Sequence, residues 1–296
     1  MRTSVLLVHH GIYQPLWEQP GLIQVGTQIS DSQKGLRITE LSVAGLKKAM
    51  KRRGWSSKGV LIQYTDPFLL RAAPIRGIRQ WPGPRLLACG DLHHGSDPIG
   101  TLQAYCTAEP HDAVLLTFNP YLLGEVRRRL PMPVRCLAPT FFRYPAATPK
   151  PMPRLELLHV GSLGPHHPRR CELVQSLLSR QKIPFRHTTT QNAEEAAQLY
   201  TQHGLVLNVP LNQDLNHRLF EVMAAGRPQV IFGNPNLLGE NSKLMNRPDL
   251  FWTQSIEDLE RLVNQLFLKP NKLLNIPVKA PPYWELKELL KKALAP

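Results

Sequence analysis

Arg218 and Glu221 stand three residues apart in the stretch "LNVPLNQDLNHRLFEVMAAGRPQVIF", Leu207 to Phe232. On a helix that spacing puts both side chains on one face of the first turns. An arginine fork can grip a phosphate, and a carboxylate can accept hydrogen bonds from a pair of sugar hydroxyls. The apolar run "GLVLNVP" precedes them, and the polar loop from Leu211 to Asn216 joins the two. At the carboxyl end of a strand, a helix start offers free N–H groups and partial positive charge to an anion. Leu219, Val222 and Met223 then turn toward the sheet, and Ala224, Ala225 and Gly226 allow close packing. The alternative is an ordinary capped helix with Arg218 and Glu221 salt-bridged on its surface.

A second turn, "HVGSLGPHHPRR" from His159 to Arg170, also follows a strand-like run and precedes a helical one. Gly161 and Gly164 permit backbone approach to a phosphate, and Arg169 or Arg170 adds charge. The turn lacks the spacing of a dinucleotide-binding or P-loop fingerprint, so a plain strand-to-helix connection accounts for it as well. The pairs His9/His10, His93/His94 and His166/His167 raise the question of a metal. Adjacent residues share no helical face, and no HExxH or His–Cys spacing accompanies them, so we expect none. In "CGDLHHGSDP", Asp91 and His93 stand at a predicted strand end. A carboxylate beside an imidazole suits general-base work or binding of a substrate hydroxyl, against the alternative of loop hydrogen bonding. The sequence has no Gly-x-Ser-x-Gly elbow and no convincing Ser-His-Asp or Cys-His set.

These residues need a scaffold, and the hydrophobic pattern supplies one. Val5 to Val8 reads as a buried first strand, and Ile38 to Arg53 as an amphipathic helix ended by Gly54. There follow strands in "GVLIQYT" and "RLLACGD", a helix near Gly100 to Ala108, a strand in "DAVLLTFN", a helix from Tyr121 to Leu130 and a short strand in "PVRCLAP". "PAATPKPMP", Pro145 to Pro153, is a stiff connector and marks a domain boundary. Alternation resumes with "LELLHVGS", "RRCELVQSLLSRQ", "IPFRHT", "NAEEAAQLYTQH", "GLVLNVP", the helix of Arg218, and "PQVIF". Helices are predicted at Ile256 to Leu268 and, after the proline joint "IPVKAPPYW", at Trp284 to Ala293. Strands alternating with helices argue for parallel βαβ units, in two α/β halves facing across a cleft. The expected domains are residues 1–147, 154–275 and a terminal segment 276–296.

Lys and Arg number 36 against 22 Asp and Glu, a formal charge of +14. That balance favours polyanionic partners or phosphate-bearing ligands over a merely solvated basic surface no more than evenly. Basic, proline-rich "APIRGIRQWPGPR", Ala73 to Arg85, can face anionic lipid, a phosphorylated glycan or water. Cys89, Cys106, Cys136 and Cys171 are widely spaced with no CxxC pair, against a zinc knuckle or disulfide scaffold and in keeping with a reducing cytoplasm. The apolar core of the N-terminal stretch is too short for a signal peptide, and no run reaches the roughly 20 apolar residues of a membrane span, so any membrane association is expected to be peripheral.

Together the two turns resemble the C-terminal donor domain of GT-B glycosyltransferases, closest to the spore-maturation CgeB-like group of the glycosyltransferase family 4-related superfamily. That group shows a "vGs...R" turn and then "N...R.FE..A.G.p", matched by Gly161, Ser162, Arg170, Asn216, Arg218, Phe220, Glu221, Ala224 and Gly226. "CGDLHH" and "DAVLLTFNP" resemble the group's N-terminal "gD.H" and "fD.vft.n" segments. The likeness is strong over Leu155 to Phe232 and diffuse elsewhere. It implies two Rossmann-like domains, a nucleotide diphosphate sugar bound to the second, an acceptor bound to the first, and a last helix crossing back to the first. Glu221 matches a Glu that binds the ribose. Arg218 and the loop with Asn212, Gln213 and Asn216 lie near the diphosphate and sugar, and Gly161, Ser162 and Arg170 at the phosphates. Many relatives carry a further Glu eight positions before the ribose Glu, where this chain has Gln213.

The resemblance also implies catalysis without a metal or other cofactor, arginines and helix dipoles stabilising the leaving diphosphate. The expectation is a cytoplasmic hexosyltransferase-type enzyme, with Arg218, Asp91 and His93 as catalytic residues and a nucleotide-sugar donor as partner. The acceptor is a glycan, lipid-linked group or protein, and contact with an anionic membrane is open. Two rivals stand beside it: a sugar transferase acting on DNA, suggested by the charge, and a catalytically silent binding module, suggested by Gln213.

Overall fold

The computed structural model describes residues 5–11, 20–137, 142–165, 167–211, 214–239, 244, 246–281 and 286–295. The chain divides into two compact units, Met1–Arg143 with Tyr283–Pro296, and Tyr144–Pro282.

The first unit is built on seven parallel strands: β1 (Val5–Val8), β2 (Leu22–Gly26), β3 (Gly35–Arg37), β4 (Val60–Thr65), β5 (Arg85–Cys89), β6 (Ala113–Leu116) and β7 (Val134–Cys136), in the order β3-β2-β1-β4-β5-β6-β7. Runs such as VLLV and AVLL are buried at every position, as expected of strands covered on both faces. Helices α1 (Val43–Arg52), α2 (Pro67–Ala72), α3 (Pro98–Ala108) and α4 (Leu123–Arg129) fill the connections. The final helix, α10 (Leu286–Ala293), belongs to this unit too, and Arg135 Nη2 donates to the carbonyl of Ala295 just beyond it at 2.9 Å.

The second unit holds β8 (Arg154–Val160), β9 (Phe185–Thr188), β10 (His203–Asn208), β11 (Gln229–Phe232) and β12 (Leu250–Thr253) in a parallel sheet ordered β12-β11-β10-β8-β9. Its helices are α5 (Pro168–Arg180), α6 (Ala193–Thr201), α7 (His217–Ala224), α8 (Ile256–Phe267) and α9 (Pro270–Leu274). The chain goes from β8 outward to β9 and then back to β10 on the other side. The carboxyl ends of β8 and β10 therefore flank a topological switch point, where open α/β sheets form ligand crevices.

The structure departs from the sequence reading in short elements. The first helix begins after Ser42, not at Ile38, because Ser42 Oγ accepts the Gly45 N–H at 2.9 Å while Ile38 still bonds to the Gly26 carbonyl. β2, β3, β12, α2 and α9 were not expected from the pattern. β2 carries a buried polar residue, Gln24, which pairs with the buried His9 at 3.0 Å and breaks the apolar run. In the basic stretch from Ala73 to Arg85, Ile75, Ile78 and Trp81 are core residues, Trp81 Nε1 donates to the Gly59 carbonyl, and Arg76 and Arg79 stay exposed. Among the described residues no helix is long and apolar enough to cross a membrane.

Candidate functional site

α7 starts where it does because Asn216 caps it: Oδ1 accepts the Leu219 N–H at 3.2 Å, and Nδ2 donates to Asn208 Oδ1 at the end of β10 at 2.9 Å. Asn208 and Gln229 extend this amide chain to the Leu219 carbonyl. Leu219, Phe220, Val222 and Met223 are buried, and Tyr144 stacks on Phe220 while its hydroxyl bonds His217 Nδ1 at 2.9 Å. The first turn of α7 is thus pinned from the sheet and from the segment that precedes β8.

That anchoring sends Arg218 across the end of β8. Gly161, which follows β8, has a φ of 142°, and a β-carbon built there would fall 2.3 Å from Arg218 Nη2. Only glycine both adopts this backbone and leaves the guanidinium its space. Arg218 Nε and Nη1 are buried and find no hydrogen-bond partner, and no salt bridge to Glu221 forms among the described residues. Instead the Tyr200 hydroxyl donates to Glu221 Oε2 at 3.2 Å, and Arg218 lies close enough to bond Tyr200 as well. Burial raises the Glu221 carboxyl above its usual range, opposed by the charge of Arg218.

Arg170, on the first turn of α5, completes the group. It is 7% exposed, its Nη1 donates to the Ser162 carbonyl at 3.4 Å and its Nη2 to the Val209 carbonyl at 3.2 Å, and its Nε has no partner. Burial and the charge of Arg218 bring it down to about 10, with Asp214 acting the other way. Two guanidinium groups thus lie close together at the switch point with N–H groups unspent, the charge of Arg218 helping to lower Arg170. Such an arrangement costs stability unless an anion joins it. A cavity of about 610 Å³ opens alongside, lined by His167, Arg169, Val209, Leu211, Phe232 and Gln254 among others.

The first unit gathers a different set at the carboxyl ends of β4, β5 and β6. His93 Nδ1 donates to Asp91 Oδ1 at 2.6 Å, and in the neutral imidazole Nε2 then keeps its lone pair and accepts the Tyr121 hydroxyl. The Asp91 N–H donates to Asp66 Oδ1 at 2.7 Å, and the Leu92 N–H to Asn119 Oδ1 at 2.9 Å. Gly90 makes the room, since a β-carbon there would lie 1.8 Å from Asp66 Oδ1. Burial works to raise the Asp91 carboxyl, but hydrogen bonds and charge from His93, with His94 behind it, hold it below the usual carboxylate range. Asp66 goes up, chiefly through burial.

No protein-family model and no curated protein matches this sequence. Solved structures do. HepE of Anabaena, solved with UDP and glucose, superposes with a TM-score of 0.59 at 11% identity over 99% of this chain and 95% of that one. The sucrose-phosphate synthase of Thermosynechococcus elongatus gives a TM-score of 0.56 at 11% identity over 94% of this chain and 95% of that one. An O-GlcNAc transferase variant of Thermobaculum terrenum gives 0.52 at 12% identity, over 99% of this chain and 63% of that one. The chain has the GT-B fold.

Within that GT-B fold, the structure brings Gly161, Ser162, Arg170, Arg218 and Glu221 together in the second unit, and Asp91 and His93 in the first. Asn216 belongs to the same place, but its side chain is engaged within the fold. Asn212 and Gln213 lie outside the described residues, as does His166 of the third histidine pair. The other pairs have internal partners: His9 bonds Gln24, His10 Nε2 bonds the Ala73 carbonyl at 3.1 Å, and His94 Nε2 approaches Asp91 Oδ2 at 3.3 Å. Sequence reading missed Tyr200, Asp66, Asn119, Tyr121, and the pair His159 and His187 beneath Arg218. Only His159 carried a signal, standing two residues before Gly161.

Proposed function

We propose that this chain is a glycosyltransferase that holds a nucleotide diphosphate sugar at the switch point of its second unit and transfers the sugar to an acceptor hydroxyl. The observation that carries the reading is the Arg170–Arg218 pair, a buried and a half-buried arginine with buried, unpartnered N–H atoms at the carboxyl ends of parallel strands. A diphosphate supplies the missing acceptors and the missing charge. The likeness to HepE, solved with UDP and glucose, supports the same chemistry.

In this reading Arg218 and Arg170 clamp the diphosphate, and the backbone at Gly161 and Ser162 lets it approach. Glu221, oriented by Tyr200, accepts from the ribose hydroxyls. Asn216 positions the turn that carries Arg218, and Asn212 and Gln213 contact the sugar side. The acceptor oxygen attacks the anomeric carbon, the bond to the phosphate oxygen breaks, and its electron pair stays on the diphosphate. Asp91 holds the His93 tautomer whose Nε2 accepts the Tyr121 hydroxyl, so the acceptor's proton passes to the Tyr121 oxygen as Tyr121 gives its own to Nε2. The arginines stabilise the charge that develops on the diphosphate, the part a metal ion plays elsewhere. The CgeB-like relationship, a cytoplasmic setting and an acceptor that is a glycan, lipid-linked group or protein are part of the same proposal.

A thermal-shift screen against UDP, GDP, ADP and TDP sugars tests it, because a ligand that binds only the folded chain raises its stability by mass action. One nucleotide series is expected to raise the melting temperature. A flat response to all of them, at millimolar concentration, sinks the assignment.

A further inference from the structure

His159 of β8 and His187 of β9 sit opposite one another in register, their Nδ1 atoms 3.0 Å apart and their rings stacked at a centroid distance of 5.2 Å. At that distance one Nδ1 carries a hydrogen and the other accepts it. His159 is fully buried, and its Nε2 has no partner. From α5, Arg170 bears on His159, and from α7, Arg218 bears on both rings. The nearby acids act on the arginines: Glu221 on α7 is coupled to Arg218, and Asp214 in the preceding loop to Arg170. The charges acting on the pair are thus positive. Burial and these arginines keep both imidazoles below their ordinary range, His159 down to about 2.

An anion on the arginines reverses that field. A sugar nucleotide brings two negative charges, which the two guanidinium groups balance. When the anomeric bond breaks and its electron pair remains on the diphosphate, the product carries a third. We propose that the His159–His187 pair takes up a proton when a nucleoside diphosphate occupies the Arg170–Arg218 site: the ring whose Nδ1 holds the shared hydrogen is protonated at its Nε2 and supplies the third positive charge, its Nδ1–H still bonded to the other ring. The pair is a positioning and charge-balancing device for the leaving group, and the inference rests on the donor site proposed above. The proton comes from solvent and returns there when the diphosphate departs.

The test is calorimetric titration of the best-binding nucleoside diphosphate at pH 7.0 in buffers of different ionisation enthalpy. Wild type is expected to take up about half a proton or more per diphosphate bound, and less with the matching sugar nucleotide. His187→Gln, on the edge strand, is expected to bind with that uptake largely gone, and Glu221→Gln to retain it. Nitrogen-15 histidine shifts of the wild type give a second reading that needs no variant, with imidazolium signals appearing on addition of the diphosphate. Binding without uptake or imidazolium overturns this proposal alone, as does uptake that disappears in Glu221→Gln and persists in His187→Gln. No binding by any nucleotide overturns the donor site, and this proposal with it.

Discussion

The two polar clusters differ in how their hydrogen-bonding capacity is spent. At the end of β5, Asp91, His93 and Tyr121 satisfy one another, and Asp66 and Asn119 hold the backbone that carries them. At the ends of β8 and β10, buried Arg170 and half-buried Arg218 lie near each other with N–H groups unpartnered. A closed network fixes a tautomer and waits to exchange a proton. An open cationic one stores unfavourable charge that a ligand relieves. In the proposed function the same fold supplies a reagent in one unit and a receptor in the other, and variants should separate the two roles.

The largest effect is expected from Arg218→Ala. Removing a guanidinium aimed at the developing charge should lower donor turnover by about a hundred- to a thousand-fold. The melting temperature should change little, because the unspent Arg218 N–H groups are lost together with the charge that offsets the Glu221 carboxylate. His93→Gln is the counterpart: kcat for transfer should fall roughly a hundred-fold, while donor affinity stays put. Equal losses of donor affinity in both variants would erase the distinction between reagent and receptor. Arg170→Met should weaken nucleoside diphosphate binding by roughly ten- to a hundred-fold in a direct titration, because its charge-assisted bonds are lost but Arg218 remains.

Smaller effects sharpen the contrast. Gly161→Ala forces a strained φ and pushes the new methyl onto Arg218 Nη2, so it should cost about 1–3 kcal/mol in denaturant unfolding and weaken donor binding together. A loss of stability with donor affinity intact would mean that Gly161 serves the turn only. In the first unit the sign follows from Asp91, whose folded carboxyl titrates below its unfolded value. Its contribution is present above the unfolded value and lost as pH falls through the folded one. Asp91→Asn should therefore flatten the acid limb of the stability profile by less than about 1 kcal/mol. An unchanged limb would show that the His93 contact contributes nothing to folding.

The legible part of this site was the part written within single turns. Arg218 and Glu221 share a helix, Asp91 and His93 share a strand end, and Gly161 stands beside the strand it terminates. Local spacing fixes those relations. Tyr200, His187, Asn119 and Tyr121 reach their partners only after parallel strands align, which no window of sequence displays. The salt bridge that spacing allows between Arg218 and Glu221 does not form, because Tyr200 from α6 takes the carboxylate and Gly161 draws the guanidinium over the strand end. Among the elements, long apolar strands were readable. The short β2 and β3 and the edge strand β12 were not, because they depend on neighbouring strands and on buried polar contacts such as Gln24 with His9.

Equilibrium titration of the best-binding nucleoside diphosphate into wild type, Arg218→Ala and Asp91→Asn tests the central claim most directly. The Arg218 variant should bind at least about a hundred-fold more weakly, the cost of losing a charge-assisted fork, and the Asp91 variant should match wild type. Wild-type affinity in Arg218→Ala would contradict the account.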